Sequence, residues 1–359
     1  MLSITYACLT LTIIWFLVYV ATGTFMFVLI IFSLLTISAL CGDIWSAVVQ
    51  KNVISKRTAR GVMMSRLGRK GQLGNQLFQL GAAYTAACRY KVPLILDPRV
   101  KETPLGILFS DSLSKMASFN KSLKTNTWFE KAKYEPIRVG GITDIRGYFE
   151  DMRYCDLDLL RKNLKPNEDI LERVRALLPE KYIVVHVRHG DNEPWYHSIP
   201  IIQIISSLYT PSWKYFSEAV RASKLLNGKL PIIVCTDNRA YVEPHLTEID
   251  LKATFSPNVE GIPGMFVDWC ILYLSTGAVI SGSTFSWWGA ALSSDKIIVR
   301  PGPLTQKGHF IDLFLGRRGE HQQLPLMITL DGMTGEPMED LIDSQPKLAT
   351  GWTDVVLAS

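Results

Sequence analysis

In the run Tyr182–Asp191, YIVVHVRHGD, a short apolar and β-branched stretch ends abruptly in His186, Arg188 and Asp191, with Gly190 allowing a turn. Polar groups crowded at the carboxyl end of a buried strand are what an open α/β sheet presents to a ligand. An arginine there keeps its charge and offers a planar fork of donors suited to phosphate. A second set follows the short apolar run Ala278–Ser281: Gly282-Ser283-Thr284-Phe285-Ser286-Trp287-Trp288-Gly289 should open a helix through Leu292. Ser283 and Thr284 could serve there as plain caps, or as part of a helix start where hydroxyls and unpaired N–H groups meet a diphosphate. The third set lies near the front, in GRKGQLGNQLFQL. Gly68, Gly71 and Gly74 let a ligand approach the main chain, and Asn75 opens an apolar helix; the spacing is not that of the dinucleotide fingerprint. The chemistry these residues suit is the binding of a nucleoside diphosphate.

The elements that must position them can be read around each set. Val62–Leu67 reads as a strand, followed by the glycine loop, a helix carrying Leu77, Phe78, Leu80, Ala83 and Ala87, and a second strand at Val92–Leu96 that ends in Asp97. Residues 98–150 are mixed, with Trp128, Phe129, Tyr148 and Phe149 interrupting polar loops. Asp156–Leu178 reads as one helix closed by Pro179. After the central strand come a helix at Ser212–Leu226, a strand at Pro231–Cys235 ending in Thr236, Asp237 and Asn238, and a short strand near Lys252–Phe255. A largely apolar helix, Pro263–Thr276, carries one acid, Asp268, and Lys296–Val299 is the last strand, stopped by Pro301. This alternation predicts a parallel doubly wound α/β domain from Tyr182 to Val299, with His186, Arg188, Asp237, Ser283 and Thr284 on one carboxyl edge. The divisions expected are an anchor at 1–42, a basic stem at 43–61, a first Rossmann-like half at 62–180, a second at 181–318 and an acidic irregular tail at 319–359.

The anchor rests on composition. From Leu2 to Gly42 there is no Asp, Glu, Lys, Arg or His, well beyond the roughly 20 apolar residues that cross a bilayer and too long for a cleavable signal peptide. One tilted span and a two-span hairpin turning near Gly23 both fit. Lys51, Lys56, Arg57, Arg60 and Arg66 follow it, a flank that by the positive-inside tendency keeps the downstream domain cytosolic. The net charge of +5 is modest for 359 residues and forms no basic stripe interleaved with aromatics, which argues against nucleic acid as a partner. Cys88, Cys155, Cys235 and Cys270 show no metal-ligand spacing and read as buried free thiols rather than disulfides. Asp156-Leu157-Asp158 is formally a metal-binding DxD, but it precedes an amphipathic stretch and reads as a helix cap with first-turn acids. Asn120-Lys121-Ser122 is a glycosylation acceptor sequence, usable only in a lumen.

Taken together, GQLGNQLFQL, GYFEDMRYC, VVHVRHGD and the run from Val267 through SGSTFSWWGAAL resemble the α-1,2-fucosyltransferases, glycosyltransferase family eleven, over roughly Val62–Phe314. The resemblance implies a GT-B-type pair of Rossmann-like halves with parallel sheets. It implies inverting transfer of L-fucose from GDP-fucose to a galactoside hydroxyl of a glycan, with no cofactor or metal beyond the donor substrate. It also implies a Golgi membrane setting, type II, with a lumenal catalytic domain. Carried over by motif, Arg188 holds the diphosphate with His186 beside it; Ser283, Thr284 and Phe285 line the phosphates and nucleoside; Asp268 is a candidate for guanine; Gly71, Gly74 and Asn75 close from the opposite half. Asp191 or Glu193 would be the base for the acceptor hydroxyl, and Asp191 could instead orient Arg188. The chain departs from the family in having His189 where a second arginine is usual. That departure keeps open a nucleotide- or glycan-binding protein with weakened or no turnover, and a protein O-fucosyltransferase is the nearest enzymatic rival.

Overall fold

The computed structural model describes residues 60–301 apart from 70, 121–122, 124, 132–133, 190–210, 250 and 294–295, together with 327–330. The uncharged block before it lies outside the described residues. Among those described, no helix is long and apolar enough to cross a membrane.

The chain opens on β1, Gly61–Met64, buried along its whole length. The glycine loop leads into α1, Leu73–Tyr90, whose Leu73, Leu77, Phe78, Leu80, Ala83 and Ala87 are all buried, so the helix is apolar nearly all round and must be covered on more than one side. Lys91, left-handed at φ 53°, ends it by returning its N–H to the carbonyls of Ala87 and Cys88. Then follow β2 (Leu94–Leu96), α2 (Pro104–Leu108), α3 (Ser110–Met116), β3 (Ala117–Phe119), β4 (Asn126–Phe129) and β5 (Ile142–Arg146). The five strands form one parallel sheet in the order β3-β2-β1-β5-β4. The strands within 98–150 do not stand out in the sequence because β3 and most of β4 are only partly buried and carry no apolar run.

The stretch expected to be one helix from Asp156 is two, α4 (Leu157–Asn163) and α5 (Glu168–Arg175). Pro166 lies between them, where its missing N–H and fixed φ end the first helix, and Asn167 caps the second by accepting from Ile170 N at 3.2 Å. The second sheet is built on β6 (Ile183–Val187), α6 (Trp213–Asn227), β7 (Ile232–Thr236), α7 (Arg239–Glu248), β8 (Thr254–Phe255), α8 (Gly264–Leu274), β9 (Gly277–Ile280), α9 (Thr284–Ala291), β10 (Ile297–Pro301) and β11 (Met327–Leu330). Its order is β11-β10-β9-β6-β7-β8, again parallel throughout. Strand β11 corrects the expectation of a wholly irregular tail: its four residues, at the end of the apolar run LPLMITL, pair with β10 and bury Ile328 and Leu330.

One apolar core joins the two sheets. Phe78 of α1 stacks on Trp287 at 5.3 Å between centroids and meets Trp288 edge-on at 5.0 Å, while Phe109 meets Trp269 of α8 at 5.2 Å. Lys296 is buried beneath this layer, its Nζ donating to the carbonyls of Leu272 (2.8 Å) and Tyr273 (2.9 Å) and to Ser275 Oγ (3.0 Å). It closes the carboxyl end of α8, and burial pushes its pKa down to about 7. Cys88, Cys155, Cys235 and Cys270 are free thiols; Cys235 and Cys270 are buried as expected, whereas Cys88 is exposed and Cys155 half-buried, which corrects the reading for those two.

Candidate active site

Each sheet reverses its strand order next to its first strand, so each has a switch point where ligands bind in open α/β folds: β6/β9 in the second sheet and β1/β5 in the first. At β6/β9, His186 is buried in the last turn of the strand, its Nδ1 2.9 Å from Ser281 Oγ. Burial, with the Arg188 charge nearby, lowers its pKa to about 3, so the imidazole is neutral and can take the Ser281 proton. The same hydroxyl oxygen accepts from Arg188 N at 3.3 Å. His186 is therefore not beside a ligand as a charge; it sets Ser281, and Ser281 sets the backbone on which Arg188 is mounted.

The Arg188 side chain is held at two ends. Its Nε lies 3.2 Å from Asp237 Oδ2, at the carboxyl end of β7, and its Nη2 donates to Gln72 Oε1 at 3.3 Å. Asp237 also accepts from His189 N at 2.8 Å, fixing the chain just past the arginine. The ring of His189 packs on Tyr241, 3.9 Å between centroids, with Nδ1 3.4 Å from Asn238 Nδ2.

Gln72 caps the start of α1, and the same turn reaches α9. Thr284 Oγ1 donates to Asn75 Oδ1 at 2.8 Å. Gly74 lies so close that a Cβ there would fall 2.4 Å from both Phe285 N and Thr284 C. A side chain would pry the two helix starts apart, which is the physical requirement for glycine. Ser283 is the N-cap of α9 but makes no side-chain capping hydrogen bond, so the plain-cap reading does not account for its hydroxyl. Gly71, at φ 78°, is the left-handed hinge of the loop, and its carbonyl accepts from Gln76 Nε2 at 2.9 Å. Phe285 leans on His186, 5.7 Å between ring centroids.

Asp268 is on α8, near the carboxyl end of β7, where burial raises its pKa to about 6 despite hydrogen bonds with Ser256 and Cys235; the Asp237 charge also raises it. Arg188, His186, Ser283, Thr284, Phe285, Gly71, Gly74 and Asn75 are thus brought to one place, with Asp268 one strand away. Asp191 and Glu193 lie outside the described residues. Asn120 is exposed just past β3, while Lys121 and Ser122 fall outside the description. Asp156 accepts from Leu159 N at 2.9 Å, capping α4, and Asp158 is exposed beside Arg161 at 3.8 Å, as the cap reading holds. Arg161 itself donates to Ala291 O at 2.9 Å, closing the far end of α9. Sequence reasoning assigned no role to Gln72, Asp237 or Ser281. Asp237 had a signal, its place at a strand end; a glutamine in a loop and a serine ending a strand have none.

Two doubly wound parallel sheets, with an arginine and a helix start gathered at the switch point of one and a glycine loop reaching over from the other, make an α/β protein suited to a nucleotide-linked substrate. Residues 148–303 match the model of Glycosyl transferase family 11, and two of the three principal motifs fall within the match. The chain is 24% identical over 225 residues to the O-antigen biosynthesis glycosyltransferase WbnK of Escherichia coli, covering 59% of this chain and 68% of that protein. It is 23% identical over 273 residues to an alpha-1,2-colitosyltransferase of Escherichia coli, covering 67% and 91%. Among solved structures, it is similar to the fucosyltransferase NodZ from Bradyrhizobium (17% identity, TM-score 0.43, 66% of this chain and 93% of that one). It is also similar to POFUT1 in complex with GDP (12% identity, TM-score 0.43, 66% and 95%).

Proposed function

We propose that this glycosyltransferase moves L-fucose from GDP-fucose to a galactoside hydroxyl with inversion, without a metal. The observation that carries the reading is the convergence of Arg188 and the start of α9 on a single turn of α1, through Gln72 and Asn75. Breaking the sugar–diphosphate bond leaves negative charge on the departing oxygens. Arg188, the Ser283 hydroxyl and the first-turn N–H groups of α9, which have no partner within the helix, are the donors that would meet it. Asp237 aims the guanidinium, and the neutral His186–Ser281 pair anchors the backbone beneath it. Asp268 would accept from the guanine N–H groups, a task that needs its ionised form. Asp191 or Glu193 would take the acceptor proton. In the same reading the uncharged block at 2–42 tethers the enzyme to a Golgi membrane with the catalytic domain in the lumen.

Radiolabelled transfer from GDP-fucose to a β-galactoside, with and without chelator, tests this: transfer unchanged by chelator is expected, and no transfer from GDP-fucose would refute it. The packing of His189 against Tyr241, where the family usually has an arginine, favours one second reading, a protein that binds the nucleotide with little turnover. GDP binding without transfer would select it.

A further inference from the structure

At the switch point of the first sheet, β1/β5, the residues on the β5 side take no part in the donor arrangement, yet they are closely tied. Asp144, buried on β5, accepts from Ser65 N (2.9 Å), Ser65 Oγ (2.8 Å) and Arg146 Nε (2.9 Å), which fixes a partly exposed guanidinium at the strand end. Immediately beyond, Glu130 Oε2 accepts from Tyr148 N at 2.7 Å and Phe149 N at 2.9 Å. A Cβ on Gly147 would fall 2.3 Å from Glu130 Cβ, so the turn is pulled down onto that carboxylate. Phe149 is held at φ 55°, a conformation costly for a bulky residue, with its ring fully buried against Trp128 and Tyr154.

The residue between these two restraints is not buried. Tyr148 is 39% exposed, and among the described residues it is the one aromatic of the large exposed hydrophobics. Its ring lies against the glycine loop, Cε1 3.4 Å from where a Cβ on Gly71 would sit, and the next residue, Gln72, holds Arg188. The same strained turn that buries Phe149 in the core leaves Tyr148, held through its N–H by Glu130, presenting an aromatic face beside the glycine loop. Resting on the transferase reading above, we infer that Tyr148 is the platform on which the acceptor sugar stacks. The ligand class is a pyranoside with a continuous C–H face, such as that formed by carbons 3, 4 and 5 of a β-galactoside, with Arg146 facing its hydroxyls.

The test is saturation-transfer NMR on the full chain with methyl β-D-galactopyranoside, read with and without GDP, for the wild type and for Tyr148→Phe and Tyr148→Ala. The expected result is strongest transfer to galactose protons 3, 4 and 5, kept in Tyr148→Phe. In Tyr148→Ala the affinity for the galactoside should fall about tenfold, with GDP affinity and thermal midpoint unchanged. Undiminished galactoside binding in Tyr148→Ala, or none in the wild type, overturns the assignment. Failure of the wild type to bind GDP in a parallel titration would instead refute the donor reading, leaving the galactoside signal to decide Tyr148 independently.

Discussion

The two switch points are built in opposite ways. In the second sheet β6 is buried at every position, and the polar groups at its end are tied inward: His186 to Ser281, Arg188 to Asp237. In the first sheet the outer strands β3 and β4 are half-exposed, and the ordered feature is a strained turn showing an aromatic ring outward. The difference suits two kinds of ligand. A diphosphate is charged and invariant, so fixed donors on a rigid strand serve it; a sugar acceptor is neutral, and an apolar face beside one held guanidinium serves it. The glycine loop and first turn of α1 belong to both, touching Arg188 and Thr284 on one side and Tyr148 on the other.

The largest expected effect separates the two halves outright. Arg188→Ala should reduce transfer by about 10²–10³-fold, the cost of removing a preorganised donor from a charged transition state, with the thermal midpoint little changed because the side chain is part-exposed. Gly74→Ala comes next: its methyl group would meet backbone at Phe285, so the junction must open. A destabilisation of about 1–3 kcal/mol is expected, with loss of transfer, measured by denaturant unfolding. Asp237→Asn should be milder, lowering kcat several-fold while leaving the acceptor KM alone, since it acts through Arg188; an equal rise in acceptor KM would break the separation.

The smallest effects are those of pH. Asp268 has a folded pKa near 6, above its ordinary value, so it loses its charge as pH falls through that value. GDP affinity should weaken below about pH 6 with a one-proton slope, and Asp268→Asn should bind GDP weakly with the slope gone. The sign for stability differs. Asp268 contributes stability at low pH that is lost as pH rises through about 6. His186, with its pKa lowered to about 3, contributes stability that is lost as pH falls from about 6.5 toward 3. The two oppose each other between about pH 6 and 4, so the readout is the difference between variants: on acidification the thermal midpoint should fall less, or rise more, in His186→Gln than in the wild type.

The same contrast explains what was legible in the sequence. Strands β6, β7, β9 and β10 announce themselves as apolar runs, and the polar residues ending β6, β7 and β9 mark the carboxyl edge where the proposed donor site lies. A DxD read as a cap was a cap because its position before an amphipathic stretch is local information. The role inferred for Tyr148 was not legible: GYFEDMRYC carried a family resemblance, but the turn that presents Tyr148 depends on the Glu130 carboxylate 18 and 19 residues away. Ser281 and Gln72 acquire roles only through partners in other elements. The helix α7 was hidden by Pro244 in its interior, whereas β11 lies in a legible apolar run that the acidic sequence after it obscured.

The central claim is that residue 188 and the head of α9 grip one pyrophosphate. Calorimetric titration of GDP, GMP and guanosine against the wild type and Arg188→Ala tests it most directly. The account predicts that the wild type binds GDP at least about tenfold more tightly than GMP, and that this preference disappears in the variant while guanosine affinity is unchanged. A preference for the second phosphate that survives the loss of the guanidinium would contradict it.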